Sequence, residues 1–532
     1  MALALQIGRY VNGTIAVPSR GARVASRRAI ILIAIFGFIL LIVIAGAILA
    51  SQTANNWARN RIDRTLESTF AGRLEVQSLQ VSLLPSVHVV GTGLRLLETN
   101  QAESAPIVVI DKFTADTGLL SLMRLPVRIQ HVRIDGLQIH VRAGDAGRVP
   151  VRNSKPPNFV VGEIVADGTR VETIPSAPGK MPLVWDLKTL VLHDAGPYRA
   201  ASFRATLTNA VPPGDIQTTG SFGPWRREAP AQTPVSGSYM FRNANLAVFP
   251  GISGILSSDG NYRGVLQNIE VDGTTDTPDF ATAVAGNRVD LSTKFHALVD
   301  GTNGTTHLFP VIAHFGRSTL VARGVVDTTP GKPGKIIALD ARVRNGRLED
   351  MLRLAVQGKP PLTGTVSYHT KILIPPGNQD MAKKLDLDGM FDVESARFSE
   401  PSTQEKIDKL SNRGRGQTND AADDTVASNF QGRFKLHNGV MHFDDLSFVV
   451  PGVAINLIGD YDLDGAKLDL AGTARLQAKL SHTTTGFKSL LLKAADPFFA
   501  KDGAGAVLPI RITGTKDSPS FKLNLGRKAK KT

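Results

Sequence analysis

No cysteine occurs among the 532 residues. Disulfides, thiolate nucleophiles and cysteine-ligated zinc are thereby excluded, while the compartment stays open, because an oxidising environment permits disulfides without requiring them. Histidines are few and scattered, none in a His-x-x-x-His arrangement, so no zinc set is expected. Gly251-Ile252-Ser253-Gly254 brings its final glycine one residue too early for a nucleophile elbow, and Gly331-Lys332-Pro333-Gly334-Lys335 lacks the spacing and the hydroxyl of a phosphate loop. Asp460, Asp462, Asp464 and Gly465 copy the opening of a calcium loop, but the twelfth position is Ala471 where a bidentate acid is needed, and Tyr461 and Leu463 continue a strand alternation. Glu349 and Asp350, adjacent in sequence, read as the start of a helix and not as a catalytic pair. No catalytic residue, metal or cofactor is expected, and the chain does not read as an enzyme.

Charge of one sign is also scarce where it would matter. The net charge is +14, but residues 1–28 hold five arginines and no acid, and the tail adds Arg527, Lys528, Lys530 and Lys531, leaving +5 for the long body between. A near-neutral body with basic ends is not a nucleic-acid binder. The 22 residues from Ala29 to Ala50 carry no charge; as a helix they span about 33 Å, enough for a hydrocarbon core of about 30 Å. Arg20, Arg23, Arg27 and Arg28 precede the run and Arg59 is the first charge after it, which places the N-terminus in the cytoplasm and the body outside. Ala45 and Ala47 offer the spacing of a signal-peptide cleavage site, but the run exceeds a signal core of about 7 to 15 residues, so an uncleaved anchor is the preferred reading. Ala58, Ile62, Leu66 and Phe70 then recur every four residues up to Gly72, predicting an amphipathic helix over 51–73 with Trp57 near the interface.

Beyond Gly72 long helical periodicity is missing and alternation by two takes over. Leu79, Val81 and Leu83 alternate with polar partners, as do Val127 and Ile129, Val132 and Ile134, and Leu137, Ile139 and Val141. The phase slips at His131, as at a bulge, and at Asp135-Gly136, as at a tight turn. Asp-Gly begins at 135, 167, 259, 272, 300, 388, 464 and 502 and Asn-Gly at 303, 345 and 438; read as hairpin turns, these predict a mostly antiparallel sheet. Further alternating sets are Leu291, Phe295, Ala297 and Val299, and Val453, Ile455 and Leu457. Short helices are expected at 348–354 and over Phe487 to Phe498. Residues 401–429 read as a flexible polar loop with at most a short helix near 406–410, and residues 146–182 as an irregular connection. Arg323 to Asp327 followed by Ile336 to Val343 resembles Ile458 to Asp462 followed by Leu468 to Leu476, a two-copy repeat of strand, turn and strand.

In this order of features the chain resembles the AsmA family of bacterial envelope proteins. The resemblance is carried by the anchor, Leu66 to Val76, Val81-Ser82-Leu83-Leu84-Pro85-Ser86-Val87 through Gly91 to Leu97, Val132 to Leu137, and Leu508 to Thr515 with Pro519 and Phe521. It spans most of residues 29–525. It implies a mainly β fold: an N-terminal transmembrane helix followed by an extended, twisted, largely antiparallel β-groove with a few short helices, related to TamB-like and bridge-like lipid transporters. The implied organisation is a cytoplasmic segment (1–28), the anchor (29–50), the linker helix (51–73), N-terminal strands (74–145), a central groove (146–400), the polar loop (401–429), C-terminal strands (430–525) and a basic tail (526–532). About 25 strands at about 4.8 Å give a sheet of at most about 120 Å. The implied role is that of a bacterial inner-membrane protein, its body periplasmic, that binds phospholipid acyl chains and supports inter-membrane lipid transport and outer-membrane biogenesis. Val127, Ile129, Val132, Ile134, Ile139, Phe295, Val299, Val453, Ile455 and Leu457 are the groove candidates. Outer-membrane or periplasmic proteins are a further class of partner. The alternative is a scaffold that assists outer-membrane protein assembly through protein contacts, its sheet filled by its own side chains.

Overall fold

A strand that alternates apolar and polar residues can cover only one face, so a chain made of such strands folds by laying them side by side with the apolar faces together. The computed structural model describes residues 72–82, 86–98, 106, 108–122, 126–142, 159–174, 183–226, 229–328, 334–377, 379, 381–416, 425–478, 505–515 and 518–523. The expected anchor and the expected helix over Phe487 to Phe498 lie outside these residues, as does all of the expected linker helix except Gly72 and Arg73, which open a strand. Among the described residues no helix is long and apolar enough to cross a membrane.

Twenty-five strands among the described residues join into one sheet. At its first edge β1 (Gly72–Glu75) and β2 (Ser78–Ser82) lie end to end along β3 (Val87–Glu98). Each following strand pairs with the one before it: β4 (Val108–Thr117), β5 (Val127–Arg142), β6 (Phe159–Ile174), β7 (Leu183–Ala195), β8 (Ala201–Asn209), β9 (Gly214–Phe222) and β10 (Pro234–Asn245). The two-residue β11 (Ile252–Ser253) pairs only with the end of β13 (Asn268–Thr282), and β12 (Ile255–Val265) carries the ladder from β10 to β13. The meander continues through β14 (Val289–Val299), β15 (Thr306–Phe315), β16 (Ser318–Thr328), β17 (Lys335–Arg347), β18 (Leu362–Ile374) and β19 (Asp386–Phe398). It ends with β20 (Ser428–His437), β21 (Val440–Val450), β22 (Val453–Asp462), β23 (Lys467–Leu476), β24 (Ala506–Thr515) and β25 (Ser518–Leu523). Among the described residues every pairing is antiparallel except β5–β6, which is parallel. At about 4.8 Å per step the sheet is roughly 105 Å long. The two-copy repeat corresponds to the hairpins β16–β17 and β22–β23.

Several sequence expectations are corrected by this arrangement. The Asp-Gly pairs at 135, 167, 259, 272 and 388, and Asn345-Gly346, lie inside strands; Asp300-Gly301, Asn303-Gly304, Asn438-Gly439 and Asp464-Gly465 stand at turns. In β12, β13 and β19 the alternation turns the aspartate to the polar face and the glycine to the apolar face, beneath an aromatic ring. A Cβ on Gly260 would meet Tyr239 Cε1 at 2.7 Å, and one on Gly273 would meet Phe295 Cζ at 2.8 Å. The slip at Asp135-Gly136 is a bulge shared across strands: Gly93 (φ 60), Gly136 (φ 67) and Gly168 (φ 63) stand at one level of β3, β5 and β6. The strands shift phase together there, so the same face stays apolar on both sides. Residues 146–182, expected as an irregular connection, contain the 16-residue strand β6. Residues 401–429, expected as a flexible loop, contain a 14-residue helix at Pro401–Gly414, whose polar buried side chains explain why its hydrophobic pattern was weak. The expected helix at 348–354 is present as Leu348–Ala355. We call these α1 (Leu348–Ala355) and α2 (Pro401–Gly414).

Two packing regimes follow one another along the sheet. From β3 to β8 the apolar face closes on itself in one core, with Phe113, Ile110, Ile134, Leu137 and Ile164 essentially inaccessible. This core extends past residue 145 to Ala201 and Ala205. From β9 onward most large side chains of the same face are only half-buried, the fully buried ones being mainly alanines and residues near the rims.

Candidate functional site

Cross-strand partners share a face, so the register traces one surface from strand to strand. Through the middle of the sheet it runs Ala205–Thr218–Tyr239–Gly260–Gly273–Phe295–Val311–Ala322–Ala341–Thr370–Gly389–Phe434. It continues Phe443–Gly459–Leu470–Ile512 to Phe521. From β8 to β24 the paired positions on this face carry no Asp, Glu or Arg and a single Lys, Lys335, which stands exposed at the end of β17 opposite Thr328 and donates to the Gly304 carbonyl (3.1 Å). The opposite face carries the charges: Lys294, Arg323, Asp340, Arg342, Asp388, Arg433 and Asp460 all occupy outward positions. A lone flat sheet would expose both faces alike. Here the outward side chains are exposed and the apolar ones half-buried, with few helices among the described residues to cover them, the asymmetry expected of a sheet curled toward its apolar face, and we call that face the concave one.

The candidate residues fall into three settings. Val127, Ile129, Val132, Ile134 and Ile139 share the concave face but are sealed in the β3–β8 core, none more than 7% exposed. Phe295 and Val299 lie half-buried on the open stretch of the face. Val453, Ile455 and Leu457 share the face near its far end; Ile455 is half-buried, whereas Val453 packs against Gly414 of α2 and Leu457 is buried.

Both labelled helices stand on the same rim of the groove. α1 inserts Leu348, Met351 and Leu352 against Val366, Val393, Tyr368 and Phe391 of the concave face. Asp350 fixes it to the β15–β16 turn by accepting hydrogen bonds from Arg317 N (2.9 Å) and Ser318 Oγ (2.9 Å). α2 is held by Gln404, whose side-chain oxygen accepts from Phe398 N (2.8 Å), and by Asp408, which accepts from Val426 N (2.9 Å) and Gln404 Nε2 (2.8 Å). Burial pushes the Tyr368 phenol up to about 12, a measure of how apolar the floor beside α1 is.

On the convex face histidines pair with carboxylates of neighbouring strands, as in His296–Asp272 (2.9 Å), His369–Asp340 (2.8 Å) and His442–Asp460 (2.6 Å). Asp340 loses some charge preference to burial, but hydrogen bonds from His369 and Arg342 outweigh this and hold its carboxyl below the usual range. A cleft of about 480 Å³, lined mainly by outward positions such as Arg342, His369, Asp392 and Arg433, opens on this side. Asp460 is exposed there and bonded to His442, as an outward acidic strand requires.

The alternation legible in sequence identified face-sharing sets but missed a group of hydroxyls on the concave face of β9–β14: Thr218, Tyr239, Ser258, Tyr262, Thr275 and Thr293. The available signal was Gly237-x-Tyr239 and Gly260-x-Tyr262, a spacing that puts glycine and tyrosine on one face. In comparisons with known proteins, no family model, no curated protein and no solved structure matches this chain.

Proposed function

We propose that this protein carries phospholipid acyl chains along its concave face, held at a membrane by the apolar run Ala29–Ala50 with the body on the far side of that membrane from the arginine-rich N-terminus. The observation that carries the proposal is the concave surface from β8 to β24, free of charge apart from Lys335 at one strand end and half-exposed over much of its length. The open stretch from β9 to β25 is about 70 Å long at about 4.8 Å per strand, several times an extended acyl chain. Apolar surface of that extent is covered in a stable protein, and an acyl chain covers it well. At about 0.8 kcal/mol per buried methylene, half-burial of a sixteen-carbon chain contributes roughly 6 kcal/mol.

The sealed β3–β8 core limits where the path runs. Its interior is filled by its own side chains, so lipid enters at β9 or beyond and not among Val127 to Ile139. The resemblance to AsmA-family proteins agrees with this role and extends it to lipid supply between inner and outer membranes, with envelope proteins as partners. The test is native mass spectrometry of the full chain extracted in mild detergent. Co-purified phospholipid supports the proposal; a chain that stays lipid-free after extraction, and also after incubation with dioleoyl phospholipids, overturns it in favour of a protein-contact scaffold.

A further inference from the structure

Turns meet water and are ordinarily built from polar residues, so a row of apolar turn tips calls for a reason. Three successive turns on one rim of the groove, at residues 209–214, 245–255 and 281–287, contain no Asp, Glu, Lys or Arg. Their tips hold five large apolar side chains out in solvent: Val284 is 69% exposed, and Val211, Val248, Phe249 and Ile255 are between 38% and 49% exposed. The turns at the other ends of the same strands are polar, with Arg226 after β9, Gln267 after β12 and Asp300 and Asn303 after β14.

The tips form one surface. Asn245 N donates to the Pro213 carbonyl (3.0 Å) and Ala283 N to the Gly251 carbonyl (2.9 Å), so each turn is fixed to the next. Thr282 Oγ1 and Asn287 Nδ2 donate to the carbonyls of Leu354 (2.6 Å) and Val356 (2.8 Å), which ties the last turn to the end of α1. Arg288, Arg353 and Lys359 stand exposed along this junction; against them, Asp290 is exposed and Asp279 is committed to Ile255 N (2.9 Å).

Two placements bear on what covers the patch. It stands where the sealed β3–β8 core gives way to the open stretch at β9, at the mouth of the groove. The register also puts it on the rim where the chain enters the sheet, since β1, β4, β7 and β9 all begin on this side. Gly72 therefore receives the chain from the apolar run Ala29–Ala50 at the same rim. Projecting apolar tips bordered by cations suit the surface of a bilayer, which takes apolar side chains at the acyl boundary and sets phosphates beside the cations.

We infer that this rim is a membrane-contact edge, its three turn tips inserting into the surface of an anionic bilayer at the mouth of the groove. The inference rests on the lipid-carrying reading, for which the edge supplies a short path between bilayer and groove.

The chain has no cysteine, so a single one placed at a tip takes a fluorophore at that position alone. The full chain carrying Val211→Cys, or Gln267→Cys on the opposite rim as control, is labelled with a polarity-sensitive fluorophore. It is reconstituted in vesicles of dioleoyl phosphatidylethanolamine and phosphatidylglycerol that contain a nitroxide-bearing phospholipid. Blue-shifted emission quenched by the nitroxide is expected at position 211 and not at 267. Phe249→Asp with Val284→Asp changes exposed tips and leaves the fold intact; it should cut the quenching about 10-fold while native mass spectrometry finds phospholipid bound as before. Equal quenching at the two positions, or a blue shift without quenching, as a protein contact would give, overturns the inference. So does quenching that survives the double substitution, which would come from lipid in the groove. Unquenched tips on a chain that still co-purifies with phospholipid overturn the edge and leave the groove standing. Quenched tips on a chain that holds no phospholipid keep the edge and remove the groove reading.

Discussion

Truncating Ile134 and Phe295 to alanine should separate a sealed core from an open groove, although both residues belong to the same face. Ile134 is 0% exposed and pairs with Phe113 and Ala166. Ile134→Ala removes buried carbons and leaves a cavity that its neighbours cannot fill, a change that costs about 4 kcal/mol. Phe295 is half-buried, its ring resting over Gly273, and the space vacated by Phe295→Ala opens to solvent. Half of the roughly 3 kcal/mol for a fully buried phenylalanine, with no cavity contribution, gives about 1.5 kcal/mol. Because a long meander unfolds in segments, the assay is hydrogen exchange read peptide by peptide on the full chain. With tenfold in exchange for each 1.4 kcal/mol, Ile134→Ala should speed exchange in β4–β6 by about three orders of magnitude. Phe295→Ala should speed β13–β15 by only about one. Equal effects at the two positions would refute the division of the sheet into closed and open stretches.

Other consequences are local. Asp350→Ala leaves Arg317 N and Ser318 Oγ without their acceptor, costing about 1–3 kcal/mol, so peptides covering α1 should exchange roughly 5- to 140-fold faster while α2 is unchanged. Spectroscopic titration at high pH should show a late phenol near about 12 that disappears in Tyr368→Phe. Because this pKa is raised in the folded chain, the folded state holds its proton more tightly; stability from Tyr368 is full below about 10 and is lost as pH rises through about 12. Alkaline phosphatase fused after Thr532 should be active outside the cytoplasm, and an inactive fusion there, with an active cytoplasmic reporter at the same place, would reverse the orientation read from Arg20 to Arg28.

Alternation made the strands and their shared face legible, since Phe295, Ala297 and Val299 lie together as their spacing requires. The same rule explains the misread turns: where Asp-Gly falls in phase with the strand, the aspartate is simply outward and the glycine inward, as at Asp259-Gly260 and Asp388-Gly389. Local sequence does not show that Tyr239 and Phe434 come from neighbouring strands to cover those glycines. The parallel β5–β6 pair was illegible because the proline- and glycine-rich residues around β6 mask its alternation, and parallel pairing is a long-range relation. α2 hid for a different reason. It is fixed by the polar side chains Gln404, Asp408 and Ser411, so it lacks the apolar stripe by which helices are found in sequence. Sequence grouped Ile134 with Phe295 as groove residues, and the closure of the β3–β8 face that separates them is a property of how the sheet curls.

The measurement that bears most directly on lipid carriage is photo-crosslinking in cells at adjacent residues that point to opposite faces. A photoreactive residue at Phe295, Phe434 or Ile455 sits on the concave face, and one at Lys294, Lys435 or Asn456 sits on the convex face of the same strands. Phospholipid adducts at the three concave positions and none at their convex neighbours are the predicted result. Adducts of equal yield on both faces, or protein adducts alone at Phe295, Phe434 and Ile455, would contradict the account.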